Sequence, residues 1–78
     1  NSILEGIQTG IFRKDIDVDF VVRIFFNGIS GITNIKLFPI EIYKIEDLLL
    51  NFSEYHLRAL CTHKGIIKLE NYKKEMDL

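Results

Sequence analysis

The sequence has little of three things: cysteine, charge of one sign and long apolar runs. Its one cysteine, Cys61, excludes an internal disulfide framework and is typical of a protein kept in a reducing compartment. Ten basic residues against eleven acidic ones leave a net charge of −1, so the sequence lacks the strongly basic footprint of a nucleic-acid-binding domain.

Long apolar runs are interrupted by polar residues. Arg23, Asn27 and Lys36 divide the richest apolar region, and no run reaches the roughly 18 residues that a membrane-spanning helix needs. The chain opens at Asn1 without the basic segment of a signal peptide. We therefore expect a cytoplasmic protein with no membrane partner. Because the first residue is not methionine and the opening residues already follow a helical pattern, we also expect a piece of a longer protein.

What the chain has in excess is apolar residues, which make up 47% of its 78 positions. A domain of this size buries only about 60–65% of the surface that its unfolded chain exposes. We predict one small helical domain over residues 1–78. So much apolar surface on so small a domain predicts association with another molecule.

The stretch from 18 to 35 carries the strongest pattern. Its polar residues Asp19, Arg23, Asn27, Ser30 and Asn34 recur at helical spacing and fall on one narrow stripe, and apart from Thr33 the other residues are apolar or glycine. We predict one helix over 18–35, with Asp17 as its N-cap and Asp19 in its first turn. The apolar arc is wider than the roughly 100° that a surface helix buries, so one side is predicted to face a second copy of the chain.

Gly28 and Gly31 lie on the same side of this predicted helix. A glycine inside a helix costs on the order of 1 kcal/mol relative to alanine. Two of them favour the interpretation that a neighbouring backbone comes close there. The alternative is a kink, or a poorly formed last turn after Asn27.

Two shorter helices are predicted at the two ends of the chain. The first covers residues 2 to about 10, where Gly10 is a natural stop. The other covers 63 to about 74, with Thr62 as its N-cap.

A second long helix is predicted over residues 44–60, which place apolar and polar side chains on opposite faces. Residues 36–39 are predicted to form a loop, because the residue before Pro39 avoids helical angles. Residues 40–43 alternate like a strand, but a lone strand has nothing to pair with. A loop or the start of a helix is therefore favoured there.

The predicted fold is all-α, with about four helices, of which 18–35 and 44–60 are long. We predict that these two pair with the same helices of a second copy, giving a four-helix bundle around a two-fold axis. The residues predicted to line this homodimer interface are Phe20, Ile24, Gly28, Gly31, Ile35, Leu49, Phe52, His56 and Leu60.

The candidate metal-binding or nucleophilic residues are His56, Cys61 and His63. A structural zinc site needs four ligands, and a Cys–His nucleophile needs a third group to orient it; the sequence offers neither. His56 lies within an apolar face, which favours a buried or interface histidine over a ligand. We predict no cofactor and no metal. An enzyme is disfavoured, because no convergent set of polar residues is visible.

Three stretches resemble the C-terminal regulatory domain of TetR-family transcriptional repressors. Residues 5–17 read EGIQTGIFRKDID, similar to the family's helix that ends in glycine before a basic residue and an aspartate–hydrophobic–aspartate turn. Residues 27–31 read NGISG, which resembles the small-residue ending of the family's long helix. Residues 57–65 read LRALCTHKG, which resembles the pattern LRGI-T-x-x-G, with Ala59 in place of the usual glycine.

The resemblance implies a bacterial, all-helical homodimer whose N-terminal helix-turn-helix domain, absent from this chain, binds operator DNA. The helical domain of such proteins pairs the subunits and binds a small effector, which shifts the spacing of the DNA-binding domains and releases the DNA. In this chain the effector pocket would be lined by Ile3, Ile7, Phe25 and Ile29, and so would favour an apolar effector. The alternative function is a free-standing helical adaptor, which uses the same apolar faces to bind another protein.

Overall fold

The computed structural model describes residues 2–76, and this part of the chain forms four α-helices without a strand. The helices are α1 (Ser2–Gln8), α2 (Val18–Ile32), α3 (Ile45–Leu60) and α4 (His63–Met76). The predicted all-α fold of about four helices is confirmed. The predicted pairing with a second copy stays a prediction.

The chain divides into two compact units. The terminal unit comprises Asn1–Ile16 together with Arg58–Leu78, and the central unit comprises Asp17–Leu57. The central unit therefore contains α2 and most of α3, whereas α1, the last turn of α3 and α4 belong to the terminal unit.

Helix α2 begins as predicted. The Asp17 carboxylate accepts a hydrogen bond from the Phe20 amide at 3.1 Å, which satisfies one of the amides that a helix start leaves unpaired. Asp19 lies in the first turn and forms an ion pair with Arg23 at 3.0 Å, one turn further along. Both acidic groups lie at the positive end of the helix dipole.

Helix α2 ends at Ile32, three residues before the predicted boundary at Ile35. The C-cap is Thr33, whose amide and hydroxyl both donate to carbonyls of the preceding turn. Next to it, the Asn34 side-chain oxygen accepts a hydrogen bond from the Lys36 amide at 2.9 Å. Such local bonds give the backbone an alternative to the helix, which is why the prediction of a helix over 18–35 was too long.

The connection between α2 and α3 consists of consecutive turns. The amides of Ile42 and Tyr43 both donate to the Pro39 carbonyl, at 3.1 and 3.0 Å. The Phe38 ring packs edge-on against the Tyr43 ring, with centroids 5.3 Å apart. The predicted loop is confirmed, and the alternating apolar residues within it belong to a turn.

The contact between α2 and α3 inside the central unit is aromatic. The Phe25 ring stacks on the Phe52 ring, with centroids 5.4 Å apart, and its centroid lies 4.9 Å from that of His56. Gly28 lies so close to Phe52 that an added Cβ would overlap the ring. The prediction that a neighbouring backbone comes close is wrong for this glycine, because a side chain takes that space. Gly31 has open space where its Cβ would be.

In the terminal unit, α1 ends at Gln8 and the chain reverses at Gly10, which has a φ of 78°. The Ile11 amide donates to the Gly6 carbonyl at 2.9 Å, and the Gly10 amide donates to the Ile7 carbonyl at 3.2 Å. These two bonds form a Schellman motif, in which glycine adopts left-handed angles without a steric cost. The predicted stop at Gly10 is confirmed.

Thr62 caps α4, as predicted. Its hydroxyl accepts a hydrogen bond from the Gly65 amide at 3.1 Å and donates to the Gly10 carbonyl at 2.6 Å. Its amide donates to the Ile11 carbonyl at 2.8 Å. One residue thus both starts α4 and ties it to the turn that follows α1.

Candidate interaction surface

The structure leaves about half of the large apolar and aromatic side chains of residues 2–76 exposed. Among the hydrophobic residues of positions 2–76, only Val21 and Leu60 are buried, at 7% and 5% exposure. Sixteen large apolar or aromatic side chains are exposed, and twelve of them lie in the central unit. The central unit is therefore where we place the candidate interaction surface.

Three of the predicted interface residues share one stripe of α2. Phe20 and Ile24 are 61% and 44% exposed. Gly31 lies at helical spacing from both, and a Cβ added to it would meet no other part of the chain within 4 Å beyond its own helix backbone and neighbours. The Asp17 cap and the aromatic contact with α3 hold this helix in place. We call these three residues the α2 stripe.

Two further predicted interface residues are exposed outside this stripe. Leu49 lies on α3 and is 38% exposed. Ile35 is 66% exposed, but it lies in the connection after α2, not on the helix as predicted.

The other predicted interface residues are covered, at least in part, by their own chain. Gly28, Phe52 and His56 pack together with Phe25 inside the central unit. Leu60 is buried in the terminal unit, so little of it remains for a second copy to cover.

His56 lies among aromatic rings. Its centroid is 4.9 Å from that of Phe25 and 5.9 Å from that of Phe52. Burial lowers the pKa of the imidazole below its usual value, so the neutral form is favoured in the folded chain. A neutral imidazole suits this apolar cluster.

Cys61 has the environment of a packing residue. Burial raises the pKa of its thiol, an effect that the nearby Arg58 guanidinium opposes. The thiol is therefore protonated at neutral pH, and the protonated form is a poor nucleophile. Its sulfur lies 3.0 Å from the position that a Cβ of Gly65 would occupy.

The sequence places Arg13 in a charged connection. In the structure, Arg13 donates hydrogen bonds to carbonyls at the C-terminal end of α3. Its guanidinium donates to the Ala59 carbonyl at 3.2 Å, and its amide donates to the Leu60 carbonyl at 2.8 Å. The same guanidinium pairs with Asp15 at 3.0 Å and lowers the pKa of that carboxyl. The only hint of this role in the sequence is that Arg13 is the basic residue in residues 5–17, the first stretch that resembles TetR-family repressors.

The four predicted effector-pocket residues fall in different units. Ile3 and Ile7 are in the terminal unit, whereas Phe25 and Ile29 are in the central unit. All four are half-buried, and the Phe25 ring is already occupied by its stack with Phe52.

Among residues 2–76, no helix is long and apolar enough to cross a membrane. In the same residues, no group of three or more His, Cys, Asp or Glu side chains is placed to hold a metal ion.

The stretches that resemble TetR-family repressors have backbone roles in the structure. Gly10 reverses the chain, and Asp17 caps α2. Gly65 lies so close to the Ile11 carbonyl that a Cβ at this position would clash with it. Such roles concern local folding, so they are weaker evidence of kinship than matched side chains at a site would be. Comparison of the chain with models of protein families, with curated proteins and with solved structures gave no match.

Proposed function

We propose that this chain is a self-association module that pairs two copies through the central unit. The observation that carries the proposal is the exposure of twelve large apolar side chains in that unit. Exposed apolar area on this scale is a feature of interaction sites. A two-fold axis that places like surfaces together is the commonest way for soluble chains to close such an assembly.

The α2 stripe is the centre of the proposed interface. Burying one large apolar side chain contributes roughly 1.5–3 kcal/mol, and association costs about 4–15 kcal/mol. Phe20, at 61% exposure, is the largest contributor from each copy, and Ile24 and Leu49, at 44% and 38% exposure, add smaller amounts because their own chain already covers much of them. Gly31, with open space beside it, lets a neighbouring helix approach closely.

We further propose that the module is the C-terminal domain of a TetR-like repressor in a bacterial cytoplasm. Support comes from the three stretches that resemble the family and from the helical fold. In such a protein the pairing of two chains holds two DNA-binding domains at a set spacing. An effector that favours one arrangement of the pair shifts that spacing and releases the DNA.

Two substitutions on α2 test self-association. Phe20 and Phe26 are the same residue type on the same helix, 61% and 65% exposed, but only Phe20 belongs to the α2 stripe. We expect the unmodified chain to be dimeric at micromolar concentration. Phe20→Glu should weaken the dimer at least about 100-fold, because two apolar contacts are lost and two charges are buried. Phe26→Glu should leave it dimeric.

Light scattering after size-exclusion chromatography, repeated over a dilution series, measures both effects. Circular dichroism of each variant checks that the helices remain. A compact monomer of the unmodified chain would overturn the proposal and favour an adaptor for another protein. Equal weakening by the two variants would overturn the α2 stripe as the interface.

A further inference from the structure

One polar residue, Asn27, lies along the α2 stripe. Four residues of α2 recur at separations of four, three and four positions, the spacing at which side chains line one seam of a helix: Phe20, Ile24, Asn27 and Gly31. Asn27 is exposed, and its side-chain amide makes no hydrogen bond within residues 2–76. An interface that covers Ile24 and Gly31 therefore covers this amide as well.

A covered amide needs new hydrogen-bond partners, because it loses those that water provided. The nearest charged side chain one turn back along α2, Arg23, is already paired with Asp19 at 3.0 Å. The other members of the α2 stripe are apolar or have no side chain. If two copies meet along this stripe, the polar side chain that each Asn27 finds on the opposite stripe is therefore another Asn27.

The asparagine amide can pair with a copy of itself. Its nitrogen donates hydrogen bonds and its oxygen accepts them, so two amides related by a two-fold axis can exchange two equivalent bonds. Such an axis covers both ends of the α2 stripe equally only if it passes near the middle of the stripe. That middle lies between Ile24 and Asn27, which brings the two Asn27 side chains close to the axis.

We propose that Asn27 pairs with the same residue of a second copy and so fixes the register of the homodimer. A wholly apolar stripe could slide by one helical turn and still bury a similar area. Sliding would separate the two amides and leave each one covered without a partner, so the pair favours one register. The inference rests on the proposed self-association and names the residue that makes it specific.

Opposite charges at position 27 test the contact. Asn27→Asp and Asn27→Lys each place two like charges near the axis, so each variant should weaken its own dimer at least about tenfold. In an equimolar mixture an aspartate faces a lysine, and the mixed dimer should form at least about tenfold more tightly than either variant does alone. Because Asn27 is exposed in the single chain, both variants should keep their helices, which circular dichroism checks.

Asn71 supplies the matched controls. It is exposed on α4, in the terminal unit, and lies outside the α2 stripe. Asn71→Asp and Asn71→Lys make the same changes of charge, and both should dimerise as the unmodified chain does. Sedimentation equilibrium measures the dissociation constants. Native mass spectrometry measures the fraction of mixed dimer, since the aspartate and lysine variants differ in mass.

Three results would overturn the Asn27 pair. If the unmodified chain is dimeric and both Asn27 variants dimerise equally well, the pair is wrong but the proposed self-association stands. If both variants are weakened and the mixture does not recover, Asn27 meets some other group of the interface, and again only the pair is wrong. A monomeric unmodified chain would overturn the pair together with the self-association.

Discussion

At the scale of single residues, three helical glycines show how differently one residue type is used. Gly28 lies against an aromatic ring, Gly31 faces open space, and Gly65 lies against the Ile11 carbonyl and the Cys61 sulfur. A ring can shift when a Cβ is added, whereas a backbone carbonyl held by its own hydrogen bonds cannot easily move. Of these three, Gly65 is therefore the glycine that the fold needs most.

We predict that Gly65→Ala destabilises the chain by about 1–2 kcal/mol, because the strain of overpacking exceeds the gain in helix propensity. Gly31→Ala is the control and should be neutral or stabilising by up to about 1 kcal/mol, since its Cβ would meet nothing in the chain. Urea denaturation of both variants in the Phe20→Glu background measures the difference without a contribution from association. A Gly65→Ala variant as stable as its parent would contradict this close approach.

At the scale of elements, the helix ends are specified by short-range hydrogen bonds. Asp17 starts α2, Gly10 ends the turn after α1, and Thr62 starts α4. Thr62 differs from the other two because its hydroxyl also donates to the Gly10 carbonyl, 52 positions away in the sequence. Within the terminal unit, this cap thus joins two elements as well as starting one.

Thr62→Ala should cost about 1–2 kcal/mol of stability, because the Gly65 amide and the Gly10 carbonyl both lose their partner. Thr62→Ser keeps the hydroxyl and should recover most of that loss. The midpoint of urea unfolding and amide exchange in the first turn of α4 measure the effect. A serine variant as unstable as the alanine variant would show that the methyl group, not the hydroxyl, matters.

At the scale of the whole molecule, the net charge is small, whereas many large apolar side chains are exposed. The net charge is −1, and basic and acidic residues nearly balance. Affinity for DNA comes mainly from phosphate contacts by lysine and arginine. The charge balance therefore does not favour DNA binding by this chain.

We predict that the isolated chain retains no DNA duplex selectively at physiological salt, with any binding weaker than about 10⁻⁴ M. Selection from a pool of random duplexes, followed by fluorescence anisotropy at 50 and 200 mM salt, tests this. Recovery of one sequence, with affinity that falls steeply as salt rises, would contradict it.

Much of the fold could be predicted because its signals are local. The capping bonds of Asp17 and Thr62 and the turn at Gly10 lie within a few residues of those positions, so reading the chain in order identified each correctly. The end of α2 was missed because the apolar pattern continues to Ile35, while the capping bonds of Thr33 and the turn at Asn34 end the helix first.

By itself, then, the sequence determined the helical class, the starts of α2 and α4 and the excess of apolar surface, because periodicity, caps and composition act over short distances. The tertiary structure alone decided which surfaces are used within the chain. Phe52 reaches Gly28, and the Ile11 carbonyl reaches Gly65, across long separations in sequence that no local pattern reports. The turns between α2 and α3 likewise bring Ile32, Ile35, Ile40 and Ile45 around one half-open apolar hollow, which periodicity along one helix cannot express.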